Sequence, residues 1–543
     1  MQAHRSSPPG RSLLVLGRIL TMDPTAPVAP AMGIRDGVIV GCGSRSEVEG
    51  ALSPTAAELD VGRNLVLPGL IDAHAHLVDG GLFLAALDLD GVATREEWDE
   101  RIVAHLDRHE GVWITGGGWD HERWGGRLPH RDWLDPLTGA RPALLMRSDL
   151  HMALANSAAL TVAGVDAEGV TGDPDGGQIL RGRDGTPTGV LRDTAIELVT
   201  ARMPEPGPGE LRVAVERAIA HAHRHGVTQI HDMGELPPSW RDLDVLDAVA
   251  EEGLLNLRVS VATPVADWRR LAERIEARGH GGDHLRWGSV KGFVDGSLGA
   301  GTARFHEPFH DLPDSRGLVV VDPDELRADI TDAWNAGIQP IVHAIGDAAV
   351  DWLVDVFGEL GPGWHGVPPP RIEHAQHLGP DTAARMARSG AIASMQPAHL
   401  VNDAPWMERR LGPERAARAY AVRTLADAGV PLAFGSDWTV APLDPLAGIR
   451  AAVERRGIDG RVFGPEETIG WERALLGYTR GAAAAAGFRD RSGILAPGAF
   501  ADFVVVEEDG PPRSYEGTYE GLGVARVART FVGGDEVFRR ETE

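Results

Sequence analysis

The chain has 543 residues, of which 43% are hydrophobic and 24% charged, a composition typical of soluble globular proteins with one large and one smaller domain. Its formal net charge of −26 excludes nucleic acid and anionic membrane surfaces as expected partners, because both attract basic patches. The single cysteine, Cys42, excludes an internal disulfide framework and favours a cytoplasmic location. We identify neither a membrane-spanning run nor a signal peptide.

Both ends of the chain are predicted to form β structure. Near the N-terminus, "SLLVLGRIL" and "VIVGCG" are short apolar runs, and Asp36-Gly37 marks a tight hairpin between two such runs. Near the C-terminus, "ADFVVVEED" and "VARTFVGGDEVFRR" have the same character. Because chain termini usually lie close together, we expect residues 1–64 and 488–543 to form a small β-sandwich.

Strands and helices alternate between these ends, over residues 65–487. Candidate strands are 65–73, 227–233, 257–262, 289–295, 338–344, 370–375, 391–396 and 431–436, with helices such as 210–225, 239–252, 323–336 and 417–428. This pattern predicts an α/β fold, the (β/α)8 TIM barrel. Residues 78–209 are too many for one crossover helix and predict an insertion or lid, which is rich in tryptophan.

Polar residues follow several of these strands, at the barrel face that carries active sites. They are His74 and His76 after the first strand, His343 after the fifth, His374 after the sixth and Asp437 after the eighth. Imidazole and carboxylate ligands suit Zn²⁺ best, with Mn, Fe, Co and Ni as alternatives. The set therefore predicts a metal site.

Lys291, in the fourth strand, is the only lysine in the chain. The number of candidate ligands exceeds what one ion requires, and two neighbouring cations need an anionic bridge. A buried lysine has a depressed pKa and can react as a neutral amine with CO2 to form a carbamate, whereas arginine stays protonated. We therefore expect two divalent ions, with Zn²⁺ preferred, bridged by carbamylated Lys291 (N6-carboxylysine).

These motifs resemble the amidohydrolase superfamily of metal-dependent hydrolases. "VLPGLIDAHAHL" is similar to its metal-binding signature, and "HAIGD", "RIEHAQ" and "GSDW" are similar to its later strand motifs. "VKGFVDGSLGAGTA", "DLHMALANSAAL" and "MQPAHL" resemble the amidohydrolase family 3 branch, which includes N-substituted formamide deformylase. In "RIEHAQH" the second histidine, His377, departs from the family pattern, and we prefer His374 because it falls at the expected strand end.

The resemblance implies a role for each candidate residue. His74 and His76 would bind the more buried metal, His343 and His374 the second, and carbamylated Lys291 would bridge them. Asp437 would contact the first metal and act as the proton shuttle while a metal-bridging hydroxide attacks a C–N bond in an amide, N-substituted formamide or carbamate-like substrate. The resemblance also implies a homodimer.

Other functions and contacts stay open at this stage. A mononuclear deaminase would need a His-x-x-Glu arrangement, but Gly346 stands where that glutamate would lie. A non-catalytic scaffold or regulatory protein would be marked by lost ligands, and no ligand is lost from the sequence. Trp119, Asp120, His151 and His399 are candidate substrate contacts. The aromatic-rich insertion suggests an apolar N-substituent on the substrate.

Overall fold

The computed structural model describes residues 12–108, 112–165, 172–174, 176–235, 239–361, 366–507 and 519–541. Its strands are β1 Ser12–Leu20, β2 Val28–Arg35, β3 Val38–Gly43, β4 Ala57–Pro68, β5 Leu70–Ala75, β6 Leu87–Asp88, β7 Ile114–Trp119, β8 Ala143–Arg147, β9 Met152–Ala155, β10 Gly177–Arg181, β11 Pro187–Asp193, β12 Val227–Asp232, β13 Arg258–Pro264, β14 Leu285–Phe293, β15 Gln339–Ala344, β16 Arg371–His374, β17 Ile392–Met395, β18 Leu432–Phe434, β19 Phe503–Glu507, β20 Arg526–Val532 and β21 Asp535–Arg539.

The α-helices are α1 Arg45–Glu49, α2 Leu77–Phe83, α3 Arg95–Leu106, α4 Asp135–Thr138, α5 Ser157–Ala163, α6 Glu197–Thr200, α7 Pro208–Arg224, α8 Arg241–Glu251, α9 Trp268–Arg278, α10 Pro323–Asn335, α11 Asp347–Glu359, α12 Thr382–Ser389, α13 His399–Leu411, α14 Pro413–Ala416, α15 Val422–Asp427, α16 Pro445–Glu454, α17 Trp471–Leu476 and α18 Ala482–Ala485. No helix of the described residues is long and apolar enough to cross a membrane.

The central sheet is a parallel barrel of eight strands within the described residues, in the order β5, β12, β13, β14, β15, β16, β17, β18. The ends of β5 and β18 close it, because Asp437 donates its backbone N–H to the carbonyl of His74 at 2.7 Å. The backbone N–H of His76 donates in turn to the carbonyl of Trp438, also at 2.7 Å. This confirms the predicted barrel and joins its first and last strand ends at predicted site residues.

The terminal segments pair, as expected, in one mixed sheet of order β21, β20, β19, β4, β1, β2, β3. The predicted first barrel strand, 65–73, is divided between this sheet and the barrel. Its residues up to Pro68 pair with β19, and the barrel strand begins at Leu70. Gly69 lies at the junction, where an added Cβ would lie 2.1 Å from the hydroxyl oxygen of Thr228.

Of the predicted helix 417–428, only α15, Val422–Asp427, is helical. Tyr420 interrupts the predicted helix with a positive φ of 52°, and its backbone N–H donates to the Gln376 carbonyl at 2.7 Å. A helix cannot continue through a left-handed residue whose N–H bonds elsewhere. The prediction of one continuous helix was therefore wrong.

The barrel helices bury one apolar face against the strands. In α11 the buried residues Val350, Leu353, Val354 and Phe357 follow the i, i+3, i+4, i+7 spacing of a helix face. They belong to one core cluster with Val342 of β15. Burial of each such side chain stabilises the fold by about 1.5–3 kcal/mol. The strand ends that carry the candidate site residues therefore lie on a tightly packed core.

The insertion carries a separate mixed sheet of order β10, β11, β9, β8, β7, β6. Its end at Arg147 and the following turn contribute side chains to the cavity at the barrel face. The insertion therefore forms part of the wall of the candidate site.

Candidate metal centre

The barrel delivers the candidate ligands at its strand ends, and two of them have unusual backbone conformations. His374, the last residue of β16, has φ 72°, and Asp437, just after β18, has φ 57°. A non-glycine residue held in this region costs about 1–3 kcal/mol and persists only where its surroundings impose it. Such residues cluster at functional sites, and two of the nine described non-glycine residues with positive φ are candidate ligands.

Four of the predicted ligands converge on one point. The Asp437 carboxylate oxygen Oδ1 lies 3.3 Å from Nε2 of both His74 and His76, and Oδ2 lies 3.9 Å from Nδ1 of His374. The candidate ligand atoms of His74, His374 and Asp437 all lie within 4.8 Å of one another, and all three residues are buried. This spacing and donor chemistry fit a divalent cation.

Contacts behind the histidines orient their rings. His74 Nδ1 lies 2.5 Å from the Glu373 carboxylate, and His76 Nδ1 lies 2.5 Å from the carbonyl oxygen of Gly234. An acceptor at Nδ1 fixes the tautomer in which Nδ1 carries the hydrogen, which leaves the Nε2 lone pair free. Both Nε2 atoms therefore face the Asp437 carboxylate.

The charge of Glu373 is fixed by a buried arginine. Burial alone would raise the pKa of Glu373, but the Arg371 guanidinium, 2.8 Å away, and His74 lower it to about 2. The guanidinium also donates to the carbonyl of Ala73 and to the hydroxyl of Ser394. The network thus ties β5, β16 and β17 together below the site.

His343 and His374 lie side by side, with ring centroids 4.5 Å apart. His343 Nε2 donates to the Gly296 carbonyl at 3.0 Å, and His374 Nδ1 lies 2.8 Å from the side-chain oxygen of Gln396. Burial, followed by the nearby Lys291 charge, lowers the pKa of His343 to about 3. Burial and the neighbouring His343 hold the pKa of His374 well below its usual value. Each ring is therefore neutral and keeps one nitrogen available.

Lys291 is 2% exposed and lines the same cavity as the histidines. Among the described residues it has neither an ion-pair nor a hydrogen-bond partner, and its Nζ lies 4.8 Å from the centre of the Phe293 ring. Burial lowers the pKa of Lys291 to about 8, against the raising effect of Glu373 and Asp437. An unpaired buried ammonium is costly, so the neutral amine is more accessible at Lys291 than at an exposed lysine.

These residues form one end of a cavity of about 140 Å³. The candidate substrate contacts Asp120, His151 and His399 also line it. His151 Nδ1 lies 2.9 Å from Asp193, and His399 Nε2 donates to the Ser436 carbonyl at 3.1 Å. The structure therefore places these three candidate contacts where a substrate could reach them.

Trp119 does not line this cavity, which corrects its expected role as a substrate contact. It is 0% exposed, its indole N–H donates to the Leu145 carbonyl at 2.7 Å, and its ring contacts that of Trp98. Trp98 in turn contacts Trp124 and Trp133. The aromatic residues of the insertion form its own core, so they do not support an apolar substrate group.

His377 lies outside the candidate metal centre. Its ring contacts Phe305 and Tyr420, and neither ring nitrogen has a hydrogen-bond partner among the described residues. Burial lowers its pKa to about 3. This placement supports the choice of His374 as the candidate ligand.

Several cavity residues were missed from the sequence. They are Arg147 and Asp149 after β8, Gln376 after β16, and Asn402, Asp403 and Trp406 on α13. The signal for the last group was present, because His399, Asn402, Asp403 and Trp406 have the i, i+3, i+4, i+7 spacing of one helix face. The run "RSDLH" was interpreted only through its histidine.

An eight-stranded parallel barrel with buried histidines and an aspartate at its strand ends defines a metal-dependent hydrolase. The chain belongs to the amidohydrolase family, whose profile matches residues 58–537.

Individual relatives agree with this assignment. The chain is 38% identical to Protein LONG AFTER FAR-RED 3 of Arabidopsis thaliana, covering 97% of this chain and 91% of that protein. It is 26% identical to N-substituted formamide deformylase of Arthrobacter pascens, covering 96% and 98%. The structure of an uncharacterized metal-dependent hydrolase from Pyrococcus horikoshii superimposes with a TM-score of 0.75 at 26% identity, covering 94% of this chain and 99% of that one.

Proposed function

We propose that the protein hydrolyses a C–N bond, in an amide, an N-substituted formamide or a carbamate-like substrate, at a centre of two divalent ions. The observation that carries this proposal is the position of Lys291, buried without an ion-pair partner among the described residues, in the same cavity as the convergent histidines and Asp437. A structural lysine would be paired or exposed. A lysine that serves as a neutral amine needs the environment that surrounds Lys291.

The residues present fit two cations. His74, His76 and Asp437 would hold the first, His343 and His374 the second, and carbamylated Lys291 would join them. Zn²⁺ is the preferred ion because the donors are neutral imidazoles and carboxylates. When bound, the cations would lower the pKa of water and polarise the scissile carbonyl.

The protein's own part in the reaction centres on Asp437. Although burial would raise its pKa, the adjacent imidazoles of His74, His76 and His374 hold it well below its usual value, so the carboxylate is ionised at neutral pH. It can accept the proton of the attacking water and deliver it to the leaving nitrogen. The left-handed backbone at Asp437 aims the carboxylate at the histidines, where this transfer would occur.

The test is to count metal ions in the purified protein and in two variants of Lys291. Wild type should bind two ions per chain, and Lys291→Arg should lose the second ion and turnover, because guanidinium cannot form a carbamate. Lys291→Ala should regain part of its metal content and part of its turnover when short carboxylic acids are added. Two retained ions in Lys291→Arg would refute the carbamate bridge.

The same count separates the alternatives. One ion per wild-type chain would favour the mononuclear deaminase, although a Cβ at Gly346 would lie 2.1 Å from the Arg304 carbonyl oxygen and leave no room for the glutamate. Protein that takes up no metal would favour a scaffold or regulatory role. A panel of N-formyl, N-acyl and carbamate compounds, tested on metal-loaded protein, would then define the substrate.

A further inference from the structure

One face of α13 forms part of the cavity wall. His399, Asn402, Asp403 and Trp406 occupy that face and line the cavity. His399 Nε2 lies 4.0 Å from the Asp437 carboxylate oxygen Oδ2, so this helix begins beside the metal centre. Asp403 lies four residues further along α13, about 6 Å along the helix axis.

The Asp403 carboxyl group is buried in the cavity wall, and burial raises its pKa to about 7, against the lowering effects of the Tyr420 hydrogen bond and the nearby Arg147. Its oxygen Oδ2 accepts a hydrogen bond from the Tyr420 hydroxyl at 2.7 Å, and within the described part of the chain it forms no ion pair. A carboxylate that faces a cavity without a cation is costly in the absence of a ligand. Because Tyr420 supplies only one neutral donor, Asp403 keeps hydrogen-bonding capacity towards the cavity.

Arg147, a neighbouring cation, already forms ion pairs with two other carboxylates. Its two terminal nitrogens contact Asp120 at 2.6 Å and Asp149 at 2.7 Å, and its Nε lies 3.3 Å from His121. Arg147 thus pairs with two other carboxylates and acts on Asp403 only as a more distant charge. A cation bound directly beside Asp403 would favour the ionised form of this carboxyl group.

We propose that Asp403 and Trp406 bind a protonated amine of the substrate, which makes them specificity-determining residues of the hydrolase. This rests on the proposed C–N hydrolysis. The carboxylate supplies a charge-assisted acceptor, and the indole of Trp406, one turn away on the same face, supplies a π surface that attracts cations. The substrate class is thus an amide or formamide of a short diamine rather than one with an apolar N-substituent.

The spacing of His399 and Asp403 along α13 guides the choice of probe length. The reacting carbonyl must lie beside Asp437, and Asp403 lies about one turn beyond His399. A chain of roughly four carbons between the amide nitrogen and the ammonium group spans this distance, at about 1.3 Å per bond along an extended chain. Formyl and acetyl derivatives of 1,4-diaminobutane are therefore the matching probes.

The experiment compares these probes with the formyl and acetyl derivatives of pentylamine, which replace the ammonium by a methyl group. Metal-loaded wild type should show kcat/KM about 10- to 100-fold higher for the diamine derivatives. Asp403→Asn should abolish this preference by lowering kcat/KM for the diamine derivatives alone. Trp406→Leu should also reduce the preference for the diamine derivatives. The matched control is Asp490→Asn, at an exposed position, which should behave as wild type.

The outcomes separate this inference from the proposed function. Equal turnover of both series, or a preference that survives in Asp403→Asn, would overturn the assignment while leaving C–N hydrolysis intact. If neither series is hydrolysed, titration calorimetry with N-(4-aminobutyl)acetamide decides the inference alone. Binding that is weakened about 10-fold or more in Asp403→Asn supports it, and equal or absent binding contradicts it. Thermal unfolding of each variant identifies loss of the fold.

Discussion

Asp437 contacts two histidines through a single carboxylate oxygen, and this geometry gives it a role that an amide cannot fill. In Asp437→Asn the side chain keeps its shape and one oxygen, but it cannot accept a proton at neutral pH. We expect turnover to fall by about 10²- to 10⁴-fold, the range that general acid–base catalysis contributes. Metal content should stay close to that of wild type, as measured by elemental analysis. Normal turnover in this variant would remove Asp437 from the mechanism.

The candidate site residues differed in how well they could be predicted from the sequence. His74, His343 and Asp437 were predictable because they follow apolar strands, and the barrel topology places all such ends at one face. Asp403 was not predictable, because an aspartate on an amphipathic helix gives the same sequence pattern whether it faces solvent or a cavity. Trp119 was misplaced for a related reason, since sequence alone does not distinguish an aromatic residue in the insertion's core from one in its wall.

Among the structural elements, the terminal sheet is fixed to the barrel by a buried ion pair. Arg258, at the start of β13, contacts both carboxylate oxygens of Asp502, just before β19, at 2.5 and 3.0 Å, and both side chains are 4% exposed. Asp502 also accepts the backbone N–H of Gly533. Asp502→Ala should lower the free energy of unfolding by about 3–5 kcal/mol, because it leaves a guanidinium buried and unpaired.

Denaturant unfolding followed by circular dichroism measures this effect. The control is Asp427→Ala, which removes the exposed partner of Arg473 and should leave the unfolding midpoint nearly unchanged. If both variants unfold at the wild-type midpoint, the ion pair does not hold the terminal sheet in place.

The elements themselves were largely predictable, and their boundaries less so. The eight barrel strands follow from apolar runs separated by helical segments. The division at Gly69 was not visible, because β4 and β5 form one continuous apolar run whose two parts bond to different sheets. Tyr420 likewise delays the start of α15 through a tertiary hydrogen bond to Gln376, which no local pattern encodes.

For the whole molecule, bound metal should contribute to stability as well as to chemistry. The candidate ligands come from β5, β15, β16 and the residues after β18, so a cation would join both sides of the barrel seam. A ligand that binds only the folded state stabilises it by about 2.7 kcal/mol at a concentration of 100 Kd. Removal with dipicolinate should therefore lower Tm, and reloading with Zn²⁺ should restore it. A Tm that does not respond to chelation and reloading would contradict a metal centre at this seam.

The left-handed conformations of His374 and Asp437 have a consequence for the evolution and engineering of this chain. Conformational energy is stored in the same two residues that would carry the chemistry, so selection for thermal robustness alone would favour replacements such as glycine at these positions. A library screened only for heat resistance would therefore drift towards inactive variants. Screens for robust forms of this hydrolase need catalysis as a second criterion from the first round.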